Sequence, residues 1–189
     1  VPFTGNIPET LEPCDTCVKV QEEMPVQSVT RCGDRVILDF GQNFAGIIEI
    51  DPALMRGDTL TVRHGERLNG DGSLYTNNLR TAKATITYHK GSSSEKYWPA
   101  FTYMGFRYVE LTGCDYLPGL VTAYAVHTDM ERTGWFASDN KKVERLYINQ
   151  LWGQRSNYVE VPTDCPQRDE RQGYTGDGQV YARTGMYNY

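Results

Sequence analysis

Residues Pro162 to Asp177 read PTDCPQRDERQGYTGD, with the acids Asp164, Asp169, Glu170 and Asp177 interleaved with the arginines Arg168 and Arg171. A guanidinium beside a carboxylate lowers its pKa, whereas an apolar setting raises that of another. Carboxylates whose pKa values are driven apart can serve acid/base chemistry at neutral pH. Glycoside hydrolysis is the reaction that most often uses two carboxylates and no cofactor. Pro162, Pro166, Gly173 and Gly176 restrict or specialise the backbone, so the spacing predicts a shaped loop. A structural ion-pair network at a helix–helix corner would use the same residues. Both readings stand on the residues alone.

The elements that must position this loop are legible around it. From Asp139 to Tyr158, Val143, Leu146, Tyr147, Leu151 and Trp152 recur at three- and four-residue steps, the pattern of an amphipathic helix. Ser138 or Asp139 is its expected N-cap. Pro162 cannot continue that helix, which places the acidic stretch in a loop after it. A second helix is expected from near Asp177.

Upstream the period changes to two. Arg35–Phe40, Ile47–Asp51, Thr59–Arg63, Ala84–Tyr88, Arg107–Leu111 and Leu120–His127 read as strands separated by turn residues. The expected fold class is mixed, β then α: an antiparallel β-sandwich followed by helices. Residues 1–30, with Pro2, Pro8, Pro13 and Pro25, read as loop-rich. The expected division is 1–30, 31–132 for the sandwich and 133–189 for the helical part.

Composition narrows the function classes. The 189 residues carry a net charge of −5, with both signs interspersed, which argues against a nucleic-acid partner. No apolar run approaches the roughly 18 residues of a membrane span, so no membrane partner is expected. The 13 tyrosines, 6 phenylalanines and 3 tryptophans agree with a tendency of sugar-handling proteins. His64, His89 and His127 lack metal-ligand spacing, and the pair Cys14 and Cys17 has no second C-x-x-C, so neither a metal nor a cofactor is expected. That pair reads as a redox pair, a local disulfide or two ordinary thiols. The cysteine usage leans to a reducing compartment, and localisation is otherwise unassigned. No phosphate loop or serine nucleophile elbow is present. Asp39, Gln42 and Asn43 are expected in an Asx-type turn, His64 and Glu66 in structural hydrogen bonds. The aromatics of Tyr97–Trp98 and Phe101–Tyr108 are expected in the sandwich core and its contact with the helices.

The run Asp164-Cys165-Pro166-Gln167-Arg168-Asp169-Glu170-Arg171, then Gly173-Tyr174-Thr175-Gly176-Asp177, resembles the signature of the α-L-rhamnosidases of glycoside hydrolase family 78. Asp39–Gly46, His64-Gly65-Glu66, Phe101–Tyr108 and Val126–Asp129 leading to Gly134-Trp135-Phe136 agree, in the family's order. The resemblance implies a β-sandwich followed by the first helices of an (α/α)6 barrel, and an inverting hydrolysis of terminal α-L-rhamnosyl residues. Glu170 matches the family's general acid. Asp164 and Asp177 match acids that hold sugar hydroxyls, and Tyr174 stands where the family usually has Trp. Arg168 is grouped with these three as substrate-binding, and Asp169 with the two arginines is expected to orient the loop. The implied partners are a rhamnose-containing glycoside or polysaccharide and the remainder of a longer parent chain. The implied general base is a Glu far downstream, and no residue of this chain is assigned to it. The chain, from Val1 to Tyr189, reads as a piece of that parent, and is expected to be inactive alone. A carbohydrate-binding or scaffolding β-sandwich with a helical tail is the alternative.

Overall fold

The computed structural model describes residues 5, 10 and 12–189. The strands are β1 (Val18–Met24), β2 (Ser28–Cys32), β3 (Arg35–Ile50), β4 (Thr59–Gly65), β5 (Arg67–Leu68), β6 (Leu74–Tyr75), β7 (Thr85–His89), β8 (Met104–Thr112) and β9 (Val121–Thr128). Then come helix α1 (Lys141–Ser156), the short pair β10 (Tyr158–Val159) and β11 (Val161–Pro162), and helix α2 (Thr175–Gly185). Seven strands form one antiparallel sheet in the order β1-β9-β3-β8-β4-β7, with β2 also paired to β3. The sheet curls around its own apolar face. Leu38, Phe40, Phe44, Ile48, Leu60, Val62, Phe106, Val109, Ala123 and Ala125, from strands across it, meet in one cluster.

Strand β3 makes the curl. Its first half pairs with β2 and the end of β8, and its second half with β9 and the start of β8. The register shifts between Asp39 and Phe44. The Gly-Gln-Asn stretch, expected to be a loop between two strands, is therefore an irregularity inside one strand. Gly41 at φ +75° takes the left-handed conformation, and the locally unpaired residues bend the strand without ending it.

Two other expectations change. Residues 18–24 fall in the segment read as loop-rich, yet they form β1, paired to β9. Six of its seven residues are exposed, so the strand lacks the alternation that identifies a half-buried one. Pro2 and Pro8, read as part of that loop-rich segment, lie outside the described residues. Among the aromatics, Phe106 is fully buried, but Trp98 is half exposed and Phe101 stands free in solvent at φ +58°.

Helix α1 is capped by Asn140, whose side chain accepts from the amides of Lys142 and Val143, rather than by Ser138 or Asp139. Ser138 Oγ instead accepts from Asn140 N at 3.1 Å. The helix lies on the sheet: the amide of Ala45 in β3 donates to the buried Ser156 Oγ at 3.2 Å, and Trp152 packs against the core. Helix α2 crosses α1 through Gln154, whose Nε2 donates to Gly185 O at 3.2 Å and whose Oε1 accepts from Tyr181 OH at 3.2 Å. Leu146, Val180 and Met186 remain exposed.

Candidate active site

The acidic loop is closed at its neck. Thr163 bridges Gly173, Asp164 N donates to Gln172 O at 3.1 Å, and Tyr174 N donates to Pro162 O at 3.3 Å. Residues 165–171, between these ties, form neither helix nor strand. The stretch folds around its own charges, as a compact loop with adjacent ends does. Arg168 is the hub. Its Nη2 donates to Asp164 Oδ2 at 2.9 Å and its Nε to Glu170 Oε2 at 2.8 Å. The second oxygen of Glu170, Oε1, accepts from Arg80 Nη1 at 2.6 Å.

The loop is seated on the sheet domain. Arg171 Nη1 donates to Tyr103 O at 2.7 Å, and its guanidinium lies 5.3 Å from the Tyr103 ring centroid. Arg171 itself takes φ +38°. Asp169 Oδ2 accepts from Thr81 N at 3.3 Å and from the Thr81 hydroxyl. Cys165, within the loop, is buried.

Electrostatics follow from these contacts. The carboxyl of Asp164 is held down at about 2 by its hydrogen bond with the Glu170 carboxyl, then by the Cys165 thiol and by Arg168. Asp169 is lowered by its bond from the Thr81 hydroxyl. Arg168 is raised by its bonds to Asp164 and Glu170. Burial pushes the Cys165 thiol up, which keeps it protonated at neutral pH. Donor atoms of Asp164, Cys165 and Glu170 lie within 4.8 Å of one another. Arg168 already occupies an oxygen of each carboxylate there, so a cation is supplied by the chain itself.

The residues expected in substrate binding separate into two groups. Asp164, Tyr174 and Asp177 line one cavity of about 480 Å³, together with Gln150, Asn157 and Tyr181. Its size is in the range of small-molecule sites. Arg168 and Glu170 do not line it; they sit behind Asp164, linked to it through the Arg168 fork. Asp164 also walls a second, more polar cleft of about 610 Å³ between β3 and α1, where Gln42, Asn43 and Arg107 face Asn149 and Trp152.

Other expectations hold in part. Asp39 Oδ1 accepts from Gly41 N at 2.6 Å, the Asx bond expected there, and Asp39 also takes Arg107 through both oxygens at 2.8 Å. His64 makes the structural bond expected of it, to Ala84 O. Glu66 accepts from Asn43 and Asn78. Cys14 and Cys17 are both free and exposed. Sequence reasoning missed Arg80 and Thr81. Neither carries a periodic or motif signal, and each meets its partner about ninety residues away in sequence.

Comparison with known proteins agrees with this layout. Residues 30–127 match the bacterial alpha-L-rhamnosidase concanavalin-like domain, and residues 131–189 the bacterial alpha-L-rhamnosidase 6 hairpin glycosidase domain. An alpha-L-rhamnosidase of Streptomyces avermitilis is 43% identical over 188 residues, covering 97% of this chain and 18% of that protein. The crystal structure of a Streptomyces avermitilis alpha-L-rhamnosidase complexed with L-rhamnose superposes with a TM-score of 0.84 at 42% identity, over 93% of this chain and 17% of that one. The alpha-L-rhamnosidase of Dictyoglumus thermophilum gives a TM-score of 0.83 at 37% identity, over 92% of this chain and 20% of that one. The chain thus spans about a fifth of the length of such relatives. With the curled antiparallel sheet, the two helices that follow it and both domain matches in sequence order, the chain belongs to the bacterial α-L-rhamnosidase family of glycoside hydrolases.

Proposed function

We propose that this chain is the part of an inverting α-L-rhamnosidase that carries its acid loop, with the general base contributed by a carboxylate outside these residues. Its sheet domain spans about 31–132 and its helical part opens at about 133. The observation that carries the reading is the Asp164–Arg168–Glu170 cluster, held by a loop closed at Thr163 and Gly173 and backing onto a cavity lined by Asp164, Tyr174 and Asp177.

In this reading Glu170 protonates the glycosidic oxygen as its bond to the sugar breaks. Asp164 stays ionised, its pKa held at about 2. Asp164 and Asp177 accept from vicinal sugar hydroxyls, where charge-assisted bonds are the stronger ones. The Tyr174 ring packs on an apolar face of the sugar. Arg168 ties the binding carboxylate to the acid, so that substrate contact with one is felt by the other. Inversion needs a base about 6.5–9.5 Å from the acid, leaving room for the attacking water.

The test is hydrolysis of p-nitrophenyl α-L-rhamnopyranoside and methyl α-L-rhamnopyranoside by the full-length parent and its Glu170→Gln variant. The expected result is a loss of about 10²- to 10⁴-fold on the methyl glycoside, whose leaving group needs the proton. A variant as active as wild type on that substrate would overturn the assignment.

A further inference from the structure

The segment between β6 and β7 is shaped to present two residues. Asn78 Nδ2 donates to Glu66 Oε2 at 2.9 Å, and Leu79 is buried. Arg80 then takes φ +55° and ψ −116°, and Ala84 takes φ +46°. Side-chain-bearing residues in such conformations cost energy and persist where the surroundings hold them, often beside functional groups. The far end of the segment is held by the fully buried His64, whose backbone N–H and Nδ1–H both donate to Ala84 O, at 2.9 and 2.8 Å.

The consequence lies across the domain boundary. Arg80 Nη1 reaches Glu170 Oε1 at 2.6 Å, and Thr81 binds Asp169 through its amide and its hydroxyl. Each oxygen of Glu170 thus has its own guanidinium. Arg168 comes from the acid loop and Arg80 from the sheet domain.

We propose that Arg80 is a positioning residue for Glu170, with Thr81 holding the neighbouring Asp169, so that the sheet domain sets both the aim and the charge surroundings of the acid. This rests on the reading of Glu170 as the acid. The groups that face Glu170 are Arg80 from the β6–β7 segment and Asp164, Cys165 and Arg168 from its own loop. A partly exposed ion pair of this kind contributes little to stability. Its effect is on the aim of the carboxyl: with one oxygen on Arg168 and the other on Arg80, the group is held from both sides.

The experiment uses the full-length parent as wild type, Arg80→Gln, Arg80→Lys and Glu170→Gln, assayed on the methyl and p-nitrophenyl glycosides. For Arg80→Gln, kcat on the methyl glycoside is expected to fall about tenfold or more, because that leaving group depends on the proton donor. Its KM is expected to stay within about twofold, and kcat on the p-nitrophenyl glycoside to fall less. Arg80→Lys should restore most of the rate.

Were Arg80→Gln to unfold, both substrates would lose rate together. The milder Thr81→Val, which frees only Asp169, would then decide: a methyl-to-nitrophenyl ratio lowered from wild type supports the inference, and an unchanged ratio overturns it. An Arg80→Gln enzyme that matches wild type in rate and ratio, beside an inactive Glu170→Gln, overturns this inference alone. A Glu170→Gln variant with full rate on the methyl glycoside overturns the reading beneath it.

Discussion

Gly105 in β8 lies directly against Gln167 in the acid loop. A Cβ at position 105 would meet the Gln167 backbone N at 2.8 Å, with Pro166 Cγ equally close. The loop therefore approaches the sheet at a point where a side chain has no room, and the obstructing atoms include backbone that cannot rotate away.

Gly105→Ala should force the loop off its seat. Overpacking of this kind costs about 1–3 kcal/mol. A lower melting temperature of the parent, together with reduced kcat, is the expected outcome. The contacts of Arg171 with Tyr103 and of Thr81 with Asp169 are the ones that would stretch. Unchanged kcat in a well-folded Gly105→Ala protein would show that loop seating does not matter to the chemistry.

His64 offers a pH prediction. Burial pushes its pKa down to about 4, its bond to Ala84 O opposes that, and the charge of Arg171 adds to the lowering. The folded pKa lies below the unfolded value of about 6.5, so the unfolded chain binds the proton more readily. The stability linked to this group is complete above about pH 6.5 and is lost as pH falls toward 4, by about 2 to 3 kcal/mol. An NMR titration of the imidazole should give a midpoint near 4. A midpoint at the ordinary histidine value would mean that water reaches the ring, and that the hold on Ala84 is looser than the 2.8 Å bond indicates.

Tyr174 separates binding from chemistry. It lines the cavity with Asp164 and Asp177 and is not among the groups that touch Glu170. Tyr174→Ala in the parent should raise KM about tenfold, the loss of an aromatic contact, with a smaller change in kcat. Tyr174→Trp should keep KM close to wild type. A large kcat loss with KM unchanged in Tyr174→Ala would instead place this ring in the transition state.

Much of this protein was determined by its sequence. Period-2 runs located β4, β7, β8 and β9, because strands with one face in the core must alternate. The three- and four-residue steps located α1, but it ends at Ser156, and the β10–β11 pair stands between it and the Pro162 expected to stop it. The acids and arginines of the loop were legible as a charged, shaped segment from composition alone. Tertiary structure decided the rest. Strand β1 is an exposed edge, defined by its pairing with β9 and anchored to the core by Met24 at its end. The Gly41 stretch could have been a turn or an irregularity, and the choice fell to the β8 and β9 partners on either side. Above all, the partners of Glu170 and Asp169 were hidden. Periodicity records which way a side chain faces along its own element. The meeting of Arg80 with Glu170 depends on how a sheet connection and a distant loop are brought together, and no local pattern encodes that distance.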